Sequence, residues 1–376
     1  MEIRLQAENK VYTTGEIISG KVLVKQAASC EQLRISIVLV GKTNSQASSQ
    51  ARLTPSTGKM QTVVTKLTPI PNSGSRVDYD FLRMHQVHHG NLLNSCHDDE
   101  IPISFLIPDV LPFDPCSALV AEETGFKTCH VQIPPSINHQ SDRFCPEMCK
   151  ITYYIHAEVY LGCGERISAK KAVRILPLYT ERPPRLWGDP VTIQLSDATT
   201  LRTALWTGST GHLTVHASPH KSIYLPINDQ ERSPIAPIRL DLDLEVIGAS
   251  CKLPQQCQFR AILEGVTYWT TTPMGDLPNG ARLQQDPTGQ VFRTSMCLRK
   301  NKSVGLKWNT KDPETSGSHH ATILVPVAMP KGVDVPPTFY HCYVSREYFI
   351  RIELVVGRAR TLNLKLPFQV YNSLEN

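Results

Sequence analysis

Residues 15–22 read GEIISGKV, one residue short of the pattern that cradles a nucleotide phosphate: Gly, four residues, Gly-Lys, then Ser or Thr. Gly15, Gly20 and Lys21 are in place, but Val22 occupies the position of the hydroxyl that meets magnesium. A phosphate loop must also open a helix, so that free N–H groups face the anion. Here Lys21 runs on into VLVK, which alternates as a strand does; stiff Ile17 and Ile18 fill the loop, and Glu16 adds negative charge. The octet therefore reads as part of a glycine-punctuated β-hairpin.

Cys145 and Cys149 form a Cys-x3-Cys pair with His139 upstream and Cys163 downstream, and a second group holds His85, His88, His89, Cys96 and His97. Structural zinc takes two tight ligand pairs in a tetrahedron, and the first group has one pair of short spacing. Core thiols and surface histidines are the leading reading, and a Cys/His metalloprotein is the alternative. No Gly-x-Ser-x-Gly elbow is present. Asp241, Asp243 and Glu245 resemble paired carboxylates, but their strict alternation makes them the wet face of a strand. The expectation is a protein without catalytic set, cofactor or metal.

Basic residues gather at Lys170, Lys171 and Arg174, and again at Arg182 and Arg185. Such a group is either a solvated strand face or an anion-binding surface for phosphorylated tails or acidic lipid. The net charge of +5 permits the second reading and does not point to nucleic acid.

Short alternating strands must position these residues. In IRLDLDLEVIG, Ile238, Leu240, Leu242, Leu244 and Val246 share one face, while Arg239, Asp241, Asp243 and Glu245 share the other. ITYYIHAEVY, the turn-like LGCGE and RISAKKAVRIL read as a hairpin. Similar runs recur at KVLVK, LRISIVLV, IPISFLI, CHVQI, HLTVHA, ATILVPV and YFIRIELVV, and helical stripes are nearly absent. The one candidate helix is SALVAEETG, residues 117–125. Many short strands between Gly, Pro, Asn and Ser turns predict an all-β chain of antiparallel sandwiches. LPLYTERPPRLWGDP breaks the alternation with Pro177, Pro183, Pro184 and Pro190, which predicts domains at 1–176 and 191–376 with a hinge at 177–190. Two stretches, TNSQASSQARLTPSTGK and residues 69–100, read as insertions without core. The first residues lack a signal-peptide core, and no stretch approaches the roughly 18 apolar residues of a membrane span. Eleven cysteines, an odd number, read as reduced thiols. A cytoplasmic location is the expectation.

ENKVYTTGEIISGKVLV resembles the first strand pair of the arrestin fold, with Tyr12, Gly15, Glu16, Ile18, Gly20 and Val22 meeting the α-arrestin pattern. IPISFLIPDVLPFDPCS is similar to that family's phenylalanine-and-proline strand, with Ile101 where an aromatic residue is usual. PPTFYHCYVSREYFIRIELVV is similar to its closing strands through Pro337, Thr338, Phe339, Ser345, Tyr348 and Ile350. The likeness covers both halves, is weak from about 190 to 330, and is greatest to fungal arrestin-domain proteins. It implies two tandem immunoglobulin-like β-sandwiches joined by a short hinge. The implied role is a non-catalytic cytoplasmic adaptor, recruited peripherally to the plasma membrane or endosomes. Implied partners are membrane transporters or receptors, an acidic membrane surface and a HECT-type ubiquitin ligase, in signalling and ubiquitin-dependent endocytosis. A retromer-type trafficking scaffold is the alternative. Ligase recruitment in that family uses Pro-Pro-x-Tyr or Leu-Pro-x-Tyr in a flexible tail that docks on WW domains. The sequence closes at Asn376 soon after LKLPFQVYN, so the expected docking candidate is Leu176, Pro177 and Tyr179 at the hinge, with linker packing as the other reading.

Overall fold

The computed structural model describes residues 1–24, 33–46, 76–90, 99–112, 126–161, 166–179, 193–202, 209–218, 223–226, 235–247, 252–310, 317–329, 335–357 and 359–373. The protein is almost wholly β. Its first half contains β1 (Glu2–Leu5), β2 (Val11–Tyr12), β3 (Ile17–Val24), β4 (Leu33–Gln46), β5 (Arg76–Gly90), β6 (Asp99–Leu106), α1 (Phe126–His130), β7 (Cys149–Leu161) and β8 (Arg166–Ile175). The second half contains β9 (Ser196–Arg202), β10 (Ser209–Ala217), β11 (Ile223–Pro226), β12 (Ile235–Val246), β13 (Gln256–Thr270), α2 (Gly280–Gln285) and β14 (Gly289–Gly305). It closes with β15 (Asn309–Thr310), β16 (Ser318–Ala328), β17 (Phe339–Tyr340), β18 (Val344–Val356), β19 (Leu362–Phe368) and β20 (Val370–Ser373).

In the first half a sheet of order β1-β3-β6 lies with a sheet of order β2-β8-β7-β4-β5. In the second, β15-β16-β12-β10-β9 accompanies β14-β13-β18-β17, to which β19 adds beside β18, and β11 pairs with β20. Among the described residues no strand of one half pairs with a strand of the other. Pairing is antiparallel except at β2–β8 and β11–β20. Period-two alternation puts Ile18, Val22, Ile103 and Phe105 of the smaller sheet into one core with Ile35, Ile37, Leu39, Ile151 and Ile155 of the larger. A second core joins Leu213, Val215, Leu240, Leu242 and Leu244 to Phe259, Leu263, Ile350, Ile352 and Leu364. Each fully buried aliphatic side chain is worth about 1.5–3 kcal/mol over its exposed state, so these rows set the register.

The octet GEIISGKV is turn and strand. Gly15 has φ +79°, in the left-handed region that glycine enters without strain, and Glu16 accepts the Thr13 amide at 2.9 Å to close that turn. Ile18 and Val22 are buried, while Lys21 reaches water and pairs with Glu100 at 2.6 Å. Tyr12 is buried in the same core. Gly20 is required by close approach: a Cβ there would lie 2.4 Å from the Arg4 carbonyl oxygen on β1. Gly20→Ala is expected to force β1 away and lower stability by about 1–3 kcal/mol, read from the denaturant midpoint.

Several expectations are corrected. Residues 69–100 are not simply an insertion, because Arg76–Gly90 makes β5, one of the longest strands. A bulge explains why its pattern is hard to read. Gly41 pairs with Leu82 and Lys42 with Asp80, leaving Phe81 over, so Val77, Tyr79 and Phe81 face inward before the bulge and Leu82 and Met84 after it. CHVQI is not a strand; α1 ends at His130, and Gln132 makes one isolated bridge to Val110. The candidate helix at 117–125, most of TNSQASSQARLTPSTGK, and hinge residues 180–190 with Arg182 and Arg185 lie outside the described residues.

The halves exchange anchors. Trp269, Phe339, Cys342, Tyr343 and Val344 of the second half are buried in the first half's core, and Phe144 of the first is buried in the second's. Trp269 Nε1 donates to the Gln46 carbonyl at 2.9 Å, Ser45 Oγ to the Thr270 carbonyl at 2.8 Å, and Thr267 Oγ1 to the Phe144 carbonyl at 2.6 Å. At the centre Arg346 grips Asp142 at 2.8 Å, with the two side chains 0% and 1% exposed.

Candidate anion-binding site

The outward rows of β4, β7 and β8 build a basic trough. Alternation turns Lys42 and Asn44 of β4 outward, and the register sets Lys42 opposite Thr152 and Asn44 opposite Lys150 on β7. Tyr154 stands opposite Ala172, and His156 opposite Lys170, on β8. All of these but His156 line a depression of about 460 Å³, with Lys42, Lys150 and Lys170 around it. A Cβ on Gly41 would meet the Phe81 ring at 2.6 Å, so glycine lets Phe81 fold inward against Tyr153, ring centroids 5.5 Å apart.

The charges around the trough are unequally satisfied. Asp78 lies 3.3 Å from Arg76 and 3.9 Å from Lys42, and Asn44 also donates to it. Although burial raises its carboxyl pKa, the Asn44 bond and the Lys42 and Arg76 charges hold it below the usual value. Asp80 pairs with Arg83 at 3.7 Å, and Glu158 with Arg166. Among the described residues these carboxylates are thus taken, and Lys150 and Lys170 have no carboxylate partner. Lys170 Nζ sits 3.4 Å from the centre of the Tyr154 ring, a cation–π contact that holds the ammonium over the trough. His156 reports the local field: burial first, then Lys170, Arg166 and Arg83, lower its pKa. A site of this kind attracts anions as point charges and weakens as salt screens it.

The grouping Lys170, Lys171 and Arg174 does not survive as one surface. Lys170 and Arg174 share the outward row of β8, while Lys171 belongs to the opposite row and pairs with Glu8 at 3.5 Å. Neighbours in sequence are separated by the pleat, and Lys170 finds its companions on other strands. Lys42 and Lys150 escaped sequence reading for the same reason: each is an ordinary outward lysine until the register places it.

The hinge candidate is packed rather than presented. Leu176 N donates to the Tyr12 carbonyl at 2.9 Å, Asn372 Nδ2 to the Pro177 carbonyl at 3.3 Å, and Tyr179 OH to the Ile133 carbonyl at 3.3 Å. The Tyr179 ring packs on the first core, and burial pushes its phenol pKa well up. A WW domain needs a free extended segment, and these bonds favour the linker-packing reading of Leu176, Pro177 and Tyr179.

Cys145 and Cys149 lie in the first core, and Cys145 Sγ donates to the Cys149 carbonyl at 2.9 Å. Its interaction with Cys149, then burial, pushes the Cys145 pKa well up, opposing the thiolate that a metal requires. Of the loop group, His85 and His88 fall on opposite faces of β5, and Cys96 and His97 lie outside the described residues. Asp241 is held by Thr322 at 2.7 Å and by Arg239 at 3.1 Å, as a solvated row of β12. Among the described residues no three His, Cys, Asp or Glu side chains converge as a metal site, and no helix is long and apolar enough to cross a membrane.

Compared with models of protein families and with curated proteins, the chain matches none.

Proposed function

We propose that this protein is an arrestin-like, non-catalytic adaptor of the cytoplasm that binds acidic or phosphorylated tails of membrane transporters or receptors. In this role it is recruited peripherally to membranes and serves signalling or endocytic trafficking. The observation that carries the reading is the Lys42–Lys150–Lys170 trough, a basic concavity on the outer face of the β4–β7–β8 sheet. An extended acidic segment lying across β4, β7 and β8 meets all three ammonium groups, and a phosphate on it supplies a compact dianion. The anchors exchanged between the halves support the reading as well, because a scaffold gains from lobes that hold a fixed geometry. Contact with a ubiquitin ligase belongs to the proposed role, and the packing of Tyr179 favours a surface other than Leu176–Tyr179 for it.

The test is titration with a labelled acidic phosphopeptide at low and high salt. Lys42→Glu/Lys150→Glu/Lys170→Glu is expected to weaken binding by about tenfold or more at low salt, with circular dichroism unchanged. Lys171→Glu, on the opposite row, is expected to bind as the parent does. Equal binding by the triple variant overturns the reading. Binding to acidic vesicles but not to phosphopeptide reassigns the trough to membrane.

A further inference from the structure

Strand β18 passes through the junction with residues 344–350 buried on both faces. Arg346 points to Asp142, so alternation turns the next residue, Glu347, the other way. Glu347 is 4% exposed; one carboxyl oxygen accepts the Tyr268 phenol at 2.8 Å, and the other has no hydrogen-bond partner among the described residues. Lys365 of β19, a candidate counter-ion, is held by Glu264 of β13 at 2.6 Å and lies over the Phe349 ring. Arg293 of β14 also acts on the carboxyl. Burial and then the Glu347 charge push the pKa of the Tyr340 phenol of β17 well up, and its ring packs on Phe126 and Cys129 of α1, where the first half touches the second.

We infer that Glu347 is a proton-operated clamp on the contact between α1 and β17, closed when its carboxyl is protonated and loosened when it ionises. A neutral carboxyl lies in this apolar setting at small cost, whereas a carboxylate there has an unsatisfied oxygen and a cation already committed elsewhere. Burial raises the Glu347 pKa to about 7, with Tyr268, Lys365, Tyr340 and Arg293 only partly offsetting it. Opening returns the group to water, where its ordinary value is 4.5. Between those values the open form releases a proton that the closed form keeps, so the opening constant rises about tenfold per pH unit and levels off above the upper value. Acidification from neutrality therefore tightens the contact. His341, which faces the Phe81 ring and His130, does not share this window, because burial and then His130 lower its pKa to about 3.

Hydrogen exchange of the amides in 126–130 and 339–342, corrected for intrinsic base catalysis and followed from pH 5 to 8, tests the clamp in the full chain. Protection is expected to fall about tenfold per unit up to pH 7 and then level off, while the strands of the two cores change little. Glu347→Gln removes the charge with little change of shape and is expected to abolish the slope. Tyr268→Phe removes a donor that favours the anion, so its slope persists and levels off at higher pH. A slope that survives Glu347→Gln, a flat parent profile, or equal loss of protection throughout both cores overturns the inference.

Discussion

Arg346→Ala is expected to lower the free energy of unfolding by about 3–5 kcal/mol, because it leaves the Asp142 carboxylate buried and unpaired. The guanidinium is bound on every side: Nη2 to Asp142 at 2.8 Å, Nε to Thr267 Oγ1 at 2.8 Å and Nη1 to the Tyr348 hydroxyl at 3.2 Å. Burial alone lowers its pKa, and Asp142 outweighs that and raises it. Asp142 also accepts the Phe144 amide at 2.9 Å, which aims the Phe144 ring into the second core. The ring fits because residue 265 is glycine, where a Cβ would stand 2.3 Å from Phe144 Cδ1. Removing Arg346 thus disturbs a charge, a loop and an anchor together. Denaturant midpoints of Arg346→Ala, Asp142→Ala and the double variant measure the coupling, and the double is expected to cost clearly less than the sum. A single-variant loss below about 1 kcal/mol rejects the pair as a structural lock.

Trp269→Ala is expected to cost a similar amount, about 3–5 kcal/mol, through the cavity left by one of the largest buried side chains. Trp269 belongs to β13 of the second half but fills the first half's core, so its loss should be felt by both halves. Trp269→Phe separates the causes. It keeps most of the packing but gives up the 2.9 Å bond to the Gln46 carbonyl, and about 1–2 kcal/mol is expected for that acceptor and the missing ring volume. Equal losses for the two variants in chemical denaturation assign the effect to the hydrogen bond, contrary to the expectation. The two interlocks differ in chemistry: Trp269 contributes by burial, whereas Arg346 mainly prevents an otherwise severe penalty at Asp142.

The strands were most legible where one face is dry and the other wet. Ile238, Leu240, Leu242 and Leu244 announce β12 because each is fully buried while Arg239 and Glu245 stay exposed. The β7–β8 hairpin is legible for the same reason. Alternation failed at β5, where the bulge at Phe81 moves the inward face from odd to even positions. It failed again at α1, since a short apolar run does not separate one helical turn from one strand. The junction was illegible in a different way. Arg346 and Glu347 stand in a strand buried on both faces, and local pattern cannot say which distant residue answers a buried charge.

By itself the sequence determined an all-β chain, the turn at Gly15, the inward places of Ile18 and Val22, and the break in pattern near Pro177. These follow from backbone sterics and period-two burial, which act among near neighbours. Tertiary structure alone decided that Lys170 parts from Lys171 to join Lys42 and Lys150, that Tyr179 is packed away, and that Asp142 meets Arg346. Each of these depends on strand register or on contact between halves, where residues far apart in the chain share one desolvated volume. GEIISGKV shows both levels together: its spacing alone imitates a phosphate loop, its alternation makes it a strand, and only the Arg4 carbonyl lying against Gly20 explains why that residue has no side chain.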